Sequence, residues 1–159
     1  MRYIWSPWRM KYILHHEQPS TCIFCSALEQ ADGPENLILH RGSQAFVILN
    51  RYPYTGGHLM AVPMMHAPSL EDLEPAVRAE LMELLTRSIE VLKAVYQPDA
   101  FNVGSNIGAA AGAGIAEHMH FHVVPRWIGD TNFMSTVAGT RVLPEELSDT
   151  YLRLMKSWK

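Results

Sequence analysis

An α+β fold is what the 159-residue sequence predicts, on three observations. Short apolar runs alternate with turn-forming residues in the first half, as in antiparallel strands joined by tight connections. One stretch of twenty-odd residues has unbroken helical period. A last apolar run follows a loop of small residues. Together they describe three or four antiparallel strands, one long helix lying on one face of the sheet, and a closing strand. The length suits a single domain over residues 1–159, large enough to bury a core without disulfides.

Taken in order, residues 1–20 form an aromatic N-terminal arm carrying Tyr3, Trp5, Pro7, Trp8 and Tyr12, expected to wrap onto the core because aromatic side chains bury large areas. "ADGPEN" is a turn cluster. "LILHRGSQAFVILN" divides at Gly42 and Ser43 into two strands of a hairpin. "RYPYTGG" is a loop, and "HLMAVPMMH", His58 to His66, is an apolar strand with Pro63 near its end, where a missing amide is tolerated. From Pro75 to Tyr96 the residues Val77, Leu81, Leu84, Leu85, Ile89, Leu92 and Val95 recur at helical spacing, with proline at the first turn. Met82 is expected in the core with Leu84. "FNVGSN" resumes a strand, "IGAAAGAGIA" is a loop, "HMHFHVVPRW" is the last strand, and Pro144 leads into a short C-terminal helix.

The composition is 48% hydrophobic and 18% charged, with a formal net charge of −3. A globular chain is expected, without the basic face that nucleic acid or an anionic membrane requires. The N-terminus lacks the apolar core of a secretory signal, and no run is long enough to span a bilayer, which places the protein in the cytoplasm. The only cysteines, Cys22 and Cys25 of "TCIFC", suit half a metal site or a redox pair.

The chemistry concentrates in "AEHMHFHVVPRW". In a strand, His118, His120 and His122 project from one face while Met119, Phe121 and Val123 face the other. Three imidazoles in register are hard to justify as core residues, since burial without partners costs stability. Two readings fit: a metal gripped by His-x-His, or nucleophilic catalysis with neighbouring imidazoles orienting and protonating. The preceding loop holds Gly108, Gly112 and Gly114, which let backbone amides turn toward an anion. Near neutral pH much of the imidazole is unprotonated and able to attack phosphorus. For the cysteines, a tetrahedral zinc site needs two further ligands, for which His66 and His118 are the candidates. A redox C-x-x-C is the competitor, but it normally opens a helix in a strand-helix-strand setting that this chain lacks.

"HMHFHVVP" resembles the His-x-His-x-His-x-x motif of the histidine triad (HIT) superfamily of nucleotide hydrolases and transferases. "NRYPYTGGHLMAVPMMH" is similar to that family's ribose-binding and histidine-bearing strands. "SPWRMKYI", "CIFC" and "PRWIGDTNF" look like the branch containing bacterial diadenosine tetraphosphate phosphorylases. The resemblance implies a five-stranded antiparallel sheet with one long helix and a short C-terminal helix, paired into a homodimer around the helix and an edge strand. It implies that His120 attacks the α-phosphorus of an adenine nucleotide or dinucleoside polyphosphate, giving an adenylyl-histidine that orthophosphate or water resolves. His122 and His58 would orient the nucleophile or hold phosphate oxygens, Asn50 would bind the ribose hydroxyls, and Cys22, Cys25, His66 and His118 would hold a structural zinc ion.

One departure from the family pattern bears on the phosphates. Many related hydrolases have glutamine followed by Ser or Thr before the triad, where this chain has Gly114 and Ile115. Backbone amides around Gly112 and Gly114 then carry more of the phosphate contact, with Asn106 the leading side chain. In "RWIGDTN", Arg126, Trp127 and Asn132 are available to close over phosphate, or to make a subunit contact. The alternatives are hydrolysis of adenosine phosphoramidate or other AMP derivatives, and a non-catalytic nucleotide-binding regulatory dimer.

Overall fold

A computed structural model describes residues 21–130 and 145–158. The expectations for the aromatic arm, Asn132 and Pro144 lie outside these residues. The elements are α1 (Ile23–Leu28), β1 (Ile38–Arg41), β2 (Ala45–Leu49), β3 (Leu59–Pro63), α2 (Pro75–Tyr96), β4 (Ala100–Gly104), β5 (Phe121–Arg126) and α3 (Leu147–Ser157), with 3-10 turns at Leu70–Asp72 and Ala109–Ala111. The five strands form one antiparallel sheet in the order β1-β2-β3-β5-β4.

The expected hairpin forms, with its turn clasped from outside the sheet. The Glu80 carboxylate accepts from the Ser43 amide at 2.7 Å, the Ser43 hydroxyl at 2.8 Å and the Gln44 amide at 3.0 Å. This grip requires Gly42, since a Cβ there would lie 2.0 Å from Glu80 Oε1. All five residues of β2 and of β3 are buried, so these strands read as continuous apolar runs rather than alternating ones. Helix α2 packs on β2, β3 and β5, burying Val77, Leu81, Leu84, Leu85, Val91 and Leu92. It starts on Pro75, whose missing amide costs nothing in a first turn, and ends at Gln97 in the left-handed conformation. Met82 is 55% exposed, contrary to the expected core position. The core stripe on α2 runs through Val77, Leu81, Leu84 and Leu85, and Met82 falls on its solvent side.

Helix α3 packs on α2 and β1. Its preceding Glu145 collects the Tyr96 hydroxyl at 2.7 Å, the Thr150 hydroxyl at 3.0 Å and Arg153 Nε at 2.8 Å. Burial, with this carboxylate beside it, pushes the Tyr96 phenol up to about 12. Among the described residues no helix is long and apolar enough to cross a membrane.

The loop from β2 to β3 delivers His58 into the core, and Gly57 makes that entry possible. Its φ is +76°, and an added Cβ would sit 3.0 Å from Leu92 Cδ2 and 3.2 Å from Tyr96 Cε2. Gly57→Ala is therefore expected to lower stability by about 1–3 kcal/mol, through left-handed strain and overpacking together. Gly33→Ala, with nothing within 4 Å of the new Cβ, is the control. Denaturant midpoints within experimental error of each other for the two variants would contradict this account of the loop.

Candidate functional site

Two clusters of chemically capable side chains meet at His118. The first is Cys22, Cys25, His66 and His118, whose ligand atoms all lie within 4.8 Å of one another. Cys22 sits at the N-cap of α1 and Cys25 one turn in, so a single short helix aims both sulfurs the same way. That helix is anchored from the sheet. Arg41 donates to the carbonyls of Leu28 and Gln30 and pairs with Asp32, and Asn36 donates to the Ala27 carbonyl, which satisfies groups left open at the helix end. His66 follows the end of β3.

Sulfur–nitrogen distances are 3.3 Å from Cys22 to His118 Nδ1, 3.4 Å from Cys25 to His66 Nδ1 and 3.7 Å from Cys25 to His118 Nδ1. A tetrahedral ion with bonds of about 2.3 Å to sulfur and about 2.0–2.1 Å to nitrogen has sulfur–nitrogen edges of about 3.5–3.6 Å, so the four donors could hold one. The electrostatics agree. Burial and the neighbouring Cys22 push the Cys25 thiol up, a penalty on its thiolate that a bound cation would offset. Burial holds His118 down, helped by the charges of His66 and His120 and opposed by the Pro63 carbonyl, which keeps a neutral ring with a lone pair to offer.

The second cluster is His58, His120 and His122. Here the observed backbone differs from the expected one. Strand β5 begins at Phe121, so only His122 is a strand residue, paired across to Met60 and to Gly104. His118 and His120 precede the strand, tied to the core by the Met119 amide donating to the Ala67 carbonyl at 2.8 Å. The strand stops short because ladder pairing to β3 ends at Phe121, and the main chain ahead of it bonds the Ala67 carbonyl, the Ser105 hydroxyl and the His120 ring instead. The rings nevertheless gather, with centroids 4.9 Å apart for His120 and His122 and 5.1 Å for His58 and His122.

Hydrogen-bond partners assign every tautomer in the chain of rings. A carbonyl only accepts, so His120 donates its Nδ1–H to the His118 carbonyl at 2.9 Å, and the neutral ring then carries its lone pair on Nε2. By the same logic His118 donates Nε2–H to the Pro63 carbonyl at 2.9 Å, which leaves Nδ1 as the atom facing the cysteines. Backbone amides only donate. The Tyr52 amide bonds Asn50 Oδ1 at 2.9 Å, so Asn50 Nδ2 is the atom 3.3 Å from His58 Nδ1, and the Tyr54 amide donates to that same nitrogen at 3.1 Å. His58 Nδ1 is thus an acceptor, its Nε2–H donates to His122 Nδ1 at 2.9 Å, and His122 in turn carries a proton on Nε2. The cluster presents a lone pair on His120 beside an N–H on His122.

Burial depresses His120, opposed by its bond to the His118 carbonyl. Burial and the charge of His120 push His122 down to about 4. Asn50 and His58 are thus coupled directly. In the small-residue loop, Gly108 and Gly112 take positive φ, but the Gly112 amide donates to the Ala109 carbonyl at 2.9 Å inside the turn. Gly114 in the same loop is exposed. Asn106 reaches across the loop to the Gly112 carbonyl at 3.5 Å. Arg126 forms a two-point pair with Asp130, at 2.6 and 2.8 Å, and bonds Asn102 at 2.8 Å, so it braces the β4–β5 end. Trp127 lies beside it, its amide on Asp130 at 3.2 Å.

Sequence reasoning missed three participants. Ser105 donates to the His120 carbonyl at 2.7 Å. Tyr54 packs its ring on His58 and His122, at centroid distances of 4.6 and 5.9 Å. Phe24 packs on His118 and His120. Only their closeness in sequence to Asn106, His58 and the cysteines could have marked them.

Comparison with known proteins follows the same residues. A sequence model of the HIT domain matches residues 31–127. The chain is 40% identical over 162 residues to an AP-4-A phosphorylase of Mycobacterium tuberculosis, covering 98% of this chain and 83% of that protein. It is 32% identical over 105 residues to the adenylylsulfatase HINT3 of Arabidopsis thaliana, 66% of this chain and 52% of that one. Among solved structures, a Zn-bound histidine triad family protein from Mycobacterium smegmatis superposes with a TM-score of 0.69 at 26% identity, covering 87% of this chain and 93% of that one.

The depressed His122 ring links this site to stability. Between the folded value of about 4 and the ordinary value of about 6.5 the unfolded chain binds more protons than the native one, so stability falls as pH drops through that window. Between pH 7 and pH 5 the wild type is expected to lose about 1–2 kcal/mol more than His122→Asn, measured by denaturant unfolding at constant metal content. Parallel pH dependences in the two proteins would remove His122 as the source.

Proposed function

The chain belongs to the HIT family, and from that premise we propose that it is an enzyme cleaving dinucleoside polyphosphates, of the diadenosine tetraphosphate phosphorylase type. The observation that carries this reading is the tautomer of His120: with Nδ1–H held by the His118 carbonyl, Nε2 is the nucleophilic atom. Nε2 attacks the α-phosphorus, a nitrogen–phosphorus bond forms, and the bond to the bridging oxygen breaks, releasing ATP. Orthophosphate then displaces the adenylyl group from His120 to give ADP and restores the ring. His122, protonated on Nε2 and held by His58, supplies a hydrogen bond to charge developing on the phosphate oxygens, the kind of stabilisation that dominates phosphoryl transfer. One N–H of Asn50 Nδ2 is directed at His58, and the second is suited to a ribose hydroxyl. To Gly114 and Asn106 of the loop we assign the remaining phosphate contacts. The likeness to an AP-4-A phosphorylase over nearly the whole chain supports phosphate as acceptor. The likeness to an adenylylsulfatase favours, as second reading, hydrolysis of smaller AMP derivatives at the same nucleophile.

We further assign the four-donor cluster to zinc, held by Cys22, Cys25, His66 and His118. Zinc there supplies structural cross-linking of α1 to the triad segment; with no donor from His120 or His122, it stays outside the chemical step. The exposed apolar side chains of Val103 on the outer strand β4, 46% exposed, and of Met82 on α2 support the reading as a homodimer.

One experiment separates these readings. With diadenosine tetraphosphate, ADP and ATP are expected only when orthophosphate is present, from a preparation carrying one zinc per chain by elemental analysis. His120→Gly is expected to lower turnover at least 1000-fold while nucleotide binding persists, in line with loss of a covalent nucleophile. Near-normal turnover in that variant sinks the mechanism, and AMP with ATP in the absence of phosphate makes the enzyme a hydrolase.

A further inference from the structure

Phe24 sits between the two cysteines on α1 and is 1% exposed. Its ring meets two histidines with different duties. The centroid distance to His118 is 5.3 Å at an interplanar angle of 67°, and to His120 it is 5.0 Å at 50°. Both are edge or tilted contacts of the kind aromatic rings favour, specific in direction as well as in area. The helix carrying Phe24 has little stability of its own, being six residues long. It is positioned by the cysteines at Cys22 and Cys25, by Arg41 on the Leu28 carbonyl and by Asn36 on the Ala27 carbonyl.

The hydrogen bond from Nδ1 to the His118 carbonyl restrains His120 at one atom, and His122 flanks the ring on another side at 4.9 Å. Held by its Cβ–Cγ bond and this one hydrogen bond, the ring can still rock about χ2, and the Phe24 ring lies against it in the way of that motion. We propose that Phe24 is a positioning residue for His120: it fixes the imidazole plane so that Nε2 is presented in one direction. Because the same ring rests on His118, it also ties the nucleophile to the Cys22-Cys25-His66-His118 cluster. The kinetic consequence rests on the reading of His120 as nucleophile, whereas the geometric consequence does not. A misdirected nucleophile lowers the rate of attack without weakening nucleotide binding, so the effect belongs in kcat rather than KM.

The test compares Phe24→Leu, which keeps apolar bulk without a ring, with Ala27→Gly, which weakens α1 and leaves the ring in place. Phe24→Met serves where leucine lowers the yield of folded protein. Two quantities are read at matched zinc content: steady-state kinetics on diadenosine tetraphosphate with orthophosphate, and the ring 15N–1H correlations of His120, assigned by loss of its signals in His120→Asn. Expected for Phe24→Leu are a 10- to 100-fold fall in kcat, KM within about twofold of wild type, and a mixture of His120 tautomers in place of the single Nδ1–H form. Ala27→Gly is expected to keep wild-type kcat and the single tautomer. Unchanged kcat and an unchanged His120 spectrum in Phe24→Leu overturn the proposal, as do equal losses in both variants, which would trace the effect to helix stability. A mixed tautomer in Phe24→Leu, with no cleavage by the wild type, upholds Phe24 as positioner and fails the proposed substrate instead.

Discussion

The hydrogen bond from His120 Nδ1 to the carbonyl of His118 is the contact on which the site depends. It makes one residue serve two clusters. The His118 side chain faces the cysteines through Nδ1 and the Pro63 carbonyl through Nε2, while its main chain decides which nitrogen of His120 carries the proton. Strand β3 supplies the Pro63 carbonyl that holds the His118 ring, and α1 brings Cys22, Cys25 and Phe24 against it. The sheet order, which sets β3 beside β5, is what allows the arrangement to close.

The energetics leave little room for a looser design. His58 and His118 are fully buried and His120 is 5% exposed, and a buried polar group left unpaired costs about 1–3 kcal/mol. Several such losses would approach the whole net stability of a domain, about 5–15 kcal/mol. Among the described residues every buried side-chain nitrogen and oxygen has a partner. The amides of Tyr52 and Tyr54 supply the end of the chain of rings, which is why the loop beside Asn50 has to enter the core with the tight geometry that Gly57 permits. The same burial holds the His118, His120 and His122 rings below the usual imidazole range, so the packing of the core and the unprotonated state that the proposed nucleophile needs have one physical cause.

Much of this was legible in the sequence because it rests on local pattern. Helix α2 begins at Pro75 and ends at Tyr96 as its period indicates, the hairpin turns at Gly42 and Ser43, and the four metal-capable donors come together as proposed from the cysteine spacing and the family resemblance. The misreadings have equally specific causes. Met82 lies one position beyond Leu81, and hydrophobicity alone does not say which side of a stripe a methionine falls on. Alternation in "HMHFH" suggested a longer strand, because the pull of Ala67, Pro63 and the cysteines on residues 118–120 is a tertiary effect with no local signature. Arg126 pairs with Asp130, four residues on, a partner within the same turn of chain. Phe24 and Ser105 were invisible as site residues because their partners are distant in sequence and their types are ordinary in a core.

At the centre of the proposed chemistry His120, through Nε2, forms a covalent adenylyl intermediate. The most direct measurement is rapid mixing of the protein with diadenosine tetraphosphate in the absence of orthophosphate, quenching in alkali to preserve the phosphoramidate, and peptide mass analysis. One adenylyl group on the peptide bearing His120, discharged as ADP on addition of orthophosphate, is the predicted result. An adduct on His122 or His58, or steady turnover with no adduct at any time point, would contradict it.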